Sequence, residues 1–348
     1  MSLVEGFKAR LLRGLMGLPT PLVSMLAGKQ IQIEGQGLAP EIQLMLRMQR
    51  VARETPAEDL PWEEARAALA LQSRLVGGPQ PIGATRDLTI DGPRGPIDLR
   101  LYTPTARLRD DAVPTLLFIH GGGMVYGGEH GTHDAAIRFL AENSGVQVLS
   151  VDYRLAPEHP YPEGLDDCKA AYSWLVENAA SIAADVTRLA VGGDSAGGYF
   201  SAAVAVHAAE RGLPLAFQLL IYPATDFAER SASRETFRDG FFLSAKFMDQ
   251  AQEAYVPAST DLTDPDVSVL RRQNFPAGIA PAYVITAGFD PLRDEGEAYA
   301  RVLAEQGVEV RQRRYPSMIH GFFNIVGAGR EARSYNLETA AELRRALS

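Results

Sequence analysis

Cysteine is almost absent from this sequence. Cys168 is the single cysteine among 348 residues, so the chain cannot form a disulfide within itself. A fold without disulfides depends on its hydrophobic core, and a chain of this length can bury a large one. Cys168 lies among apolar residues at helical spacing, which predicts a buried structural thiol. This cysteine usage is typical of a cytoplasmic protein, and that is the location we expect.

Long hydrophobic runs and basic runs are missing too. No stretch of 18 apolar residues occurs, so the sequence predicts no membrane-spanning or stably inserted segment. The net charge is −9 and no run of five Lys or Arg residues occurs, which disfavours nucleic acid and anionic membranes as main partners. The apolar stretch 14–28 follows basic residues, as in a signal peptide. Pro19 and Pro21 interrupt it, which favours a short amphipathic helix lying on the protein.

Motifs for metal and nucleotide binding are also absent. The sequence contains no H-E-x-x-H, no paired-cysteine pattern and no G-x-x-x-x-G-K-[ST]. His130 and His133, with Glu129 and Asp134 beside them, have residue types that can ligate an ion, but a solvated loop is the simpler interpretation. We therefore expect neither a metal nor a cofactor.

Strand and helix patterns alternate after residue 85. Two alternating segments within 86–102 flank a turn signal and predict a β-hairpin. Further strands are predicted at 115–119, 146–151, 189–192, 217–222, 282–287 and 308–315, and helices at 134–143, 165–178, 196–211 and 295–306. This alternation predicts an α/β fold, with a mostly parallel central sheet flanked by helices.

Two regions interrupt that pattern. Residues 1–75 have helical spacing with no strand pattern, and residues 225–275 place many polar and aromatic residues between two core strands. We interpret 76–224 and 276–348 as the core domain, 1–75 as N-terminal cap helices and 225–275 as a cap insertion. The first region carries apolar residues at helical spacing that must be buried somewhere: Leu11, Leu12, Leu15, Met16, Leu44, Met45, Met48 and Val51.

The segment Gly193-Asp194-Ser195-Ala196-Gly197 has the G-x-S-x-G pattern of a serine nucleophile. Five residues alone have low specificity, but this segment directly follows a predicted strand and opens a predicted helix. The tight turn between such elements requires small neighbours and holds the serine hydroxyl out at the end of the sheet. We predict that Ser195 is a nucleophile.

The segment His120-Gly121-Gly122-Gly123 follows another predicted strand. Consecutive glycines let the backbone approach a ligand closely, as an oxyanion-binding loop requires. A flexible loop and a phosphate cradle are the alternatives, but Tyr126 occupies the last glycine position of a G-x-G-x-x-G pattern. Together with the serine motif downstream, the glycines predict an oxyanion hole.

A serine nucleophile needs a base, and the base needs an orienting acid. Of the six histidines, at 120, 130, 133, 159, 207 and 320, His320 follows the last predicted strand in a loop able to reach over the sheet. Asp290 ends a predicted strand, at the edge where active-site groups collect in α/β sheets. Asp294 and Glu295 are the alternatives, but they begin a helix, where acidic residues often only complement the dipole.

These motifs together resemble the bacterial hormone-sensitive-lipase-like carboxylesterases. The resemblance covers about residues 85–325 and rests on HGGG at 120–123, YRLAPE at 153–158, GDSAGG at 193–198, DPLRDEG at 290–296 and HGF at 320–322. It implies the α/β-hydrolase fold with a helical cap, and Asp194 assigns the chain to the GDSAG branch. The implied catalytic residues are Ser195, Asp290 and His320, and the implied oxyanion donors are Gly122, Gly123 and Ala196, with Gly121 the less favoured glycine.

The resemblance further implies a carboxylic ester hydrolase that acts on short- to medium-chain acyl esters through an acyl-enzyme intermediate. The N-terminal helices would form half of a lid that limits acyl length, and a homodimer is one expectation. An amidase or peptidase with the same triad is the alternative, and a non-catalytic receptor on this fold would be marked by loss of a triad residue. Five residues are candidates for the substrate pocket and equally compatible with the core: Met124, Tyr126, Tyr199, Phe241 and Phe242.

Overall fold

The computed structural model describes residues 3–128 and 130–348 of the chain. Its strands are β1 (Gln32–Ile33), β2 (Gln36–Gly37), β3 (Ala84–Gly92), β4 (Gly95–Thr103), β5 (Val113–Ile119), β6 (Gln147–Asp152), β7 (Ala184–Asp194), β8 (Phe217–Ile221), β9 (Ala282–Phe289) and β10 (Val310–Ile319). Its α-helices are α1 (Leu3–Met16), α2 (Thr20–Ala27), α3 (Pro40–Ala52), α4 (Trp62–Gly77), α5 (Asp134–Ser144), α6 (Glu163–Glu177), α7 (Ala196–Glu210), α8 (Ala232–Thr236), α9 (Ala245–Tyr255), α10 (Arg293–Glu305) and α11 (Glu331–Ala346).

Eight strands within these ranges form one sheet in the order β10-β9-β8-β7-β5-β6-β4-β3. The strands from β10 to β6 pair in parallel, and the β3–β4 hairpin adds an antiparallel edge. Every residue of β5, β8 and β9 is buried, because helices cover both faces of the sheet. The predicted α/β fold is therefore confirmed, and each predicted core strand and helix has a counterpart.

The N-terminal region differs from its prediction in two ways. It contains the short antiparallel pair β1–β2, although no strand was predicted before residue 76. The expected burial of its apolar residues holds for Leu44 and Met45 but is wrong for Leu11 and Val51, which are 49% and 76% exposed. Two buried apolar clusters account for most of the core, one on each side of the sheet, and Cys168 lies in one of them.

The parallel strands end at one edge of the sheet, and the predicted chemistry collects there. His120 follows β5, Ser195 follows β7, Asp290 follows β9 and His320 follows β10. Neighbouring parallel strands bring their carboxyl ends together, so residues far apart in sequence meet at this edge. In the ranges that the structure describes, no helix combines the length and hydropathy needed to cross a membrane.

Candidate active site

Ser195 occupies a sharp turn between β7 and α7. Its backbone has φ 58° and ψ −119°, a conformation that non-glycine residues rarely adopt. The turn is possible because its neighbours are small: a side chain on Gly193 or Gly197 would collide with the Ile119 carbonyl oxygen. The sequence thus supplies glycines where the turn passes β5, and the strained backbone exposes the Ser195 hydroxyl at the start of α7.

His320 connects the serine to a buried carboxylate. Its Nε2 lies 2.9 Å from Ser195 Oγ, and its Nδ1 lies 2.8 Å from Asp290 Oδ2. Asp290 has no solvent exposure, and its other oxygen accepts the Leu292 N–H at 2.8 Å. This second hydrogen bond fixes the carboxylate, which in turn orients the imidazole. The structure therefore brings together the three residues that the sequence singled out.

The two alternative acids form other contacts. Asp294 accepts from Arg293 Nε and from the Ser233 N–H, both at 2.8 Å. Glu295 accepts the Thr225 N–H at 2.7 Å at the start of the insertion. Burial raises the pKa of Glu295 to about 8, so at neutral pH this side chain is largely protonated. Neither residue contacts His320.

The glycine loop lines the same cavity as Ser195. The Gly121 N–H donates to Asp194 Oδ1 at 2.9 Å, so it is engaged in holding the loop. The N–H groups of Gly122 and Gly123 have no acceptor within residues 3–128 and 130–348, and neither has that of Ala196 at the first turn of α7. This geometry favours Gly122, Gly123 and Ala196 as donors and disfavours Gly121.

Asp194 links the serine turn to the glycine loop, a role that the sequence analysis missed. Besides Gly121 it contacts His133 Nε2 at 3.0 Å and the Tyr222 hydroxyl at 3.2 Å. Burial would raise the pKa of Asp194, but His133 and the Gly121 N–H outweigh it and hold the pKa below its ordinary value. Asp194 and Gly121 are 73 residues apart, so no local sequence pattern predicts their contact.

The histidines after the glycine loop are not placed as predicted. His133 is buried, and its Nδ1 forms a hydrogen bond with Thr132 Oγ1 at 2.7 Å. The expectation of a solvated loop is therefore wrong for His133. Glu129, the third potential ligand, lies outside the described residues. Elsewhere in the chain, within the described ranges, no group of three or more His, Cys, Asp or Glu side chains is arranged to hold a metal ion.

His120 braces the glycine loop from below. Its ring stacks on Tyr153 with centroids 4.3 Å apart, and its Nδ1 lies 2.8 Å from the Gly121 oxygen. The Tyr153 hydroxyl donates to the His120 carbonyl at 2.9 Å. Burial, with the neighbouring His133 charge, lowers the pKa of His120 to about 4, so the ring is neutral at neutral pH. A neutral, stacked imidazole at this position supports the loop.

Comparison with known proteins identifies the family. The model of the α/β-hydrolase-fold family matches residues 116–324. The chain is 39% identical to carboxylic ester hydrolase LipN of Mycobacterium tuberculosis over 95% of this chain and 89% of LipN. It is 36% identical to an ethyl acetate hydrolase of Pseudomonas putida, over 83% and 91% of the two chains. The chain belongs to the hormone-sensitive-lipase-like esterase family of α/β-hydrolases.

Solved structures of ester hydrolases have the same fold. Ester-hydrolase EH1AB1, from the metagenome of Lake Arreo, superposes with a TM-score of 0.84 at 43% identity. The alignment covers 88% of this chain and 98% of that one. The family likeness thus extends from the motifs to the arrangement of nearly the whole chain.

In this α/β-hydrolase a cavity of about 380 Å³ opens above Ser195. Its floor consists of the glycine loop, the serine turn and His320, and Thr132, His133 and Asn324 extend it. Its roof consists of residues from α3, the loop 54–58, α4 and the insertion. The roof residues are Leu46, Gln49, Arg50, Glu54, Thr55, Pro56, Ala57, Glu58, Leu69, Gln72, Ser73, Asp239, Gly240, Phe242, Leu243, Ser244 and Phe247.

The predicted pocket residues divide into three groups. Tyr126 and Phe242 line the main cavity, and Met124 lines a smaller one of about 50 Å³ beside Ser195 and Ala196. Tyr199 and Phe241 require a correction, because both are buried in the core and line neither of these two cavities. The Tyr199 hydroxyl donates to the Asp266 carbonyl beneath α7. Sequence reasoning could not separate these cases, since an aromatic residue suits a pocket wall and a core equally well.

Proposed function

We propose that this carboxylic ester hydrolase works through an acyl-enzyme intermediate on Ser195, with His320 as base and Asp290 as orienting acid. Membership of the esterase family supplies the reaction class. The observation that carries the assignment is the chain Ser195 Oγ to His320 Nε2 to Asp290 Oδ2, with contacts of 2.9 and 2.8 Å. That chain faces the three N–H groups of Gly122, Gly123 and Ala196, which have no acceptor in the described ranges.

In the first half-reaction the Ser195 oxygen bonds to the ester carbonyl carbon while its proton moves to His320 Nε2. The carbonyl oxygen becomes an oxyanion, which the backbone donors stabilise where the charge develops. The carbon–oxygen bond to the alcohol then breaks, and His320 returns the proton to the departing alkoxide. Asp290 keeps the imidazole in the required tautomer and stabilises its protonated form. No cofactor takes part.

Water reverses these steps in the second half-reaction. His320 removes a proton from a water molecule, whose oxygen attacks the acyl carbonyl, and the acid departs as Ser195 regains its proton. The engaged N–H of Gly121 supports loop geometry in both halves without contacting the oxyanion. The glycine loop therefore serves two functions, donation from its last two residues and anchoring through its first.

The proposed substrates are short- to medium-chain acyl esters of small molecules. A cavity of about 380 Å³ suits a ligand near the lower end of ordinary small-molecule sites. The roof from α3, α4 and the insertion forms a helical cap, which closes the space above Ser195 and limits chain length. A cytoplasmic location is part of the proposal, since the single cysteine is a buried free thiol.

A covalent probe tests the assignment directly. A fluorophosphonate should label the protein once, at Ser195, and Ser195→Ala should lose both labelling and hydrolysis of p-nitrophenyl butyrate. Stoichiometric labelling at another residue would contradict the proposal. p-Nitrophenyl esters from acetyl to palmitoyl then measure the chain-length preference, and a flat profile would remove the limiting role of the cap.

Matched ester and anilide substrates separate esterase from amidase activity. We expect ester hydrolysis to dominate, because an alkoxide or phenolate departs from the same acyl group more easily than an amine does. Comparable rates on both substrates would favour the amidase alternative.

A further inference from the structure

Charge is distributed unevenly along this chain. Residues 1–53 contain seven Lys or Arg residues and three Glu residues, which gives this segment a net charge of +4. Because the whole chain has a net charge of −9, residues 54–348 have a net charge of −13. A basic segment attached to an acidic body indicates an anionic partner for that segment, which the whole-chain charge conceals.

Two of the three carboxylates of the basic segment bind groups outside it. Glu34 pairs with Arg293 of α10 at 2.7 Å, and Glu41 is buried and accepts the Glu331 N–H at 2.7 Å. Five exposed cations of this segment form no ion pair with the described side chains, which leave out residues 1–5, 7, 8 and 129: Arg10, Lys29, Arg47, Arg50 and Arg53. No described carboxylate therefore neutralises their charges.

The same segment also carries an exposed apolar face. Helix α2 contains no charged residue. Its residues Leu22, Met25 and Leu26 share one face at spacings of three and four, and they are 44%, 69% and 38% exposed. The opposite face is buried through Val23 and Ala27 against α3. Single exposed apolar residues are common on protein surfaces, but three large ones side by side on one short helix form a contiguous apolar patch.

Two of these cations, Arg47 and Lys29, lie at the C-terminal end of this face. Arg47 Nη1 donates to the Leu26 carbonyl at 3.1 Å, and Lys29 follows the last residue of α2 by two positions. Helix α3 carries Arg47 and also lines the cavity roof through Leu46 and Arg50. The apolar face and the cavity are thus joined through one helix.

We propose that the apolar face of α2 (Leu22, Met25 and Leu26) and the exposed cations of residues 1–53 dock on the surface of an anionic lipid bilayer. Apolar side chains enter the boundary between headgroups and acyl chains, while cations bind the anionic headgroups. The acidic remainder of the chain is repelled and turns outward. A second copy of this chain fits less well, because a symmetric contact would oppose two segments of charge +4.

Docking has a consequence that rests on the proposed esterase function. Because α3 joins the docking face to the cavity roof, the cavity lies close to the lipid surface when the protein is bound. Esters that partition into the bilayer would then reach Ser195 with a shorter path through water. The docking itself requires no catalysis, so it is measured independently.

The experiment is co-sedimentation of the full-length protein with phosphatidylcholine vesicles, with and without phosphatidylglycerol. Wild type should bind only vesicles containing phosphatidylglycerol. Binding should weaken steeply between about 0.1 and 1 M salt, as the Debye length falls from about 10 to 3 Å. Arg10→Gln/Lys29→Gln/Arg53→Gln should lower the partition coefficient by about 100-fold, since each cation near the surface contributes about fivefold.

The matched control is Arg109→Gln/Arg211→Gln/Arg301→Gln, whose residues are exposed cations outside the segment. Both triple variants have a net charge of −12, so only the position of the lost charge differs. The control should bind like wild type, and Leu22→Ser/Met25→Ser should bind more weakly than wild type. All variants alter exposed side chains, so turnover of soluble p-nitrophenyl butyrate and thermal midpoints should stay at wild-type values.

Three results would overturn the proposal: no binding of wild type to phosphatidylglycerol vesicles, equal loss of binding in the two triple variants, or a dimer in solution that Leu22→Ser/Met25→Ser dissociates. The last result would identify a second copy as the occupant. If the wild-type protein bound vesicles but hydrolysed no ester, only the esterase assignment would be overturned.

Discussion

The floor and the roof of the cavity are built in different ways. The floor consists of backbone and short side chains at the ends of buried strands, and Gly123 has no space for a side chain because Phe247 would lie 2.7 Å from its Cβ. The roof consists of side chains from helices and loops, among them Arg50 and Gln72 on helices and Phe242 between α8 and α9. In the proposed mechanism the atoms that meet the reacting carbonyl are therefore fixed by the sheet, whereas those that meet the rest of the substrate can be replaced singly.

Polar surface contacts join the two halves of the roof. Ser244 Oγ donates to Glu58 Oε1 at 2.7 Å, and Lys246 pairs with Asp59. Exposed ion pairs add little stability. The floor instead rests on the buried Asp194 network and on Asp290. Mutations should therefore separate the two parts, with large losses of turnover from the floor and modest changes of affinity from the roof.

The largest effect is expected beneath the floor. Asp290→Asn should lower kcat by about 10⁴, because asparagine favours the wrong imidazole tautomer while preserving the shape of the site. The measurement is steady-state hydrolysis of p-nitrophenyl butyrate. Asp294→Asn is the matched control and should keep near-wild-type kcat, since Asp294 contacts Ser233 and Arg293. If Asp294→Asn were the damaging change, Asp294 would be the acid.

A pH-dependent effect is expected where the floor joins the roof, at Glu295. Burial raises its pKa to about 8 from a reference of 4.5. The folded protein then binds more protons than the unfolded chain between these values, so stability falls as pH rises from about 4.5 to 8. Glu295→Gln keeps an acceptor for the Thr225 N–H and removes this loss, worth roughly 4 kcal/mol.

Urea unfolding of Glu295→Gln and wild type at acidic and mildly alkaline pH measures this difference. The variant should gain stability relative to wild type only on the alkaline side. Glu305→Gln, an exposed change on the same helix, should follow wild type at both pH values. A constant difference between Glu295→Gln and wild type across the range would show that Glu295 is ionised in the folded state.

An intermediate effect is expected at the link between the serine turn and the glycine loop. Asp194→Ala should lower kcat by about 10²–10³ with little change in KM, because a displaced loop loses oxyanion donors in the transition state. Asp194→Asn retains an acceptor for the Gly121 N–H and should recover most of this activity. Equal activity of the alanine and asparagine variants would mean that this hydrogen bond does not position the loop.

The smallest effect is expected in the roof. Phe242→Ala should raise KM for the butyrate ester by roughly fivefold and leave kcat nearly unchanged, because an apolar wall contributes to ground-state and transition-state binding alike. Phe241→Ala is the matched neighbour and should instead lower stability by about 3–5 kcal/mol without changing KM. A kcat loss in Phe242→Ala would mean that the roof also aligns the reacting ester.

The adjacent Phe241 and Phe242 mark the limit of sequence reasoning here. The hydrophobic pattern predicts that aromatic residues in the insertion are buried or line a pocket, but it does not separate the two. Phe241 packs against Phe237 and Phe289 in the core, whereas Phe242, with φ 80°, turns toward Gly321 and the cavity. That divergence depends on a backbone conformation that only the assembled fold determines.

The positions of Ser195, Asp290 and His320 were predictable for the opposite reason. Each follows a strand with a clear pattern, and parallel strands end at a common edge whatever their separation in sequence. Asp194 and His133 lack such a local signal, because their contact joins a loop to a strand end 61 positions away. The short β1–β2 pair was missed because two-residue strands show no periodicity.

The roof helices are synthesised long before the C-terminal residues on which they pack. Two hydrogen bonds anchor the start of α3. The Ala39 N–H donates to the Ser317 carbonyl at 3.0 Å, and the Glu41 carboxylate of α3 accepts the Glu331 N–H at the start of α11. The end of α4 accepts the Gly327 N–H at Val76. The ribosome therefore releases the roof helices about 250–290 residues before the surface that receives them, and closing so long a loop is slow. During synthesis α2 can already pack on α3, but the faces that meet residues 317–331 have no partner, so a chaperone or a lipid surface would be a suitable temporary partner for them.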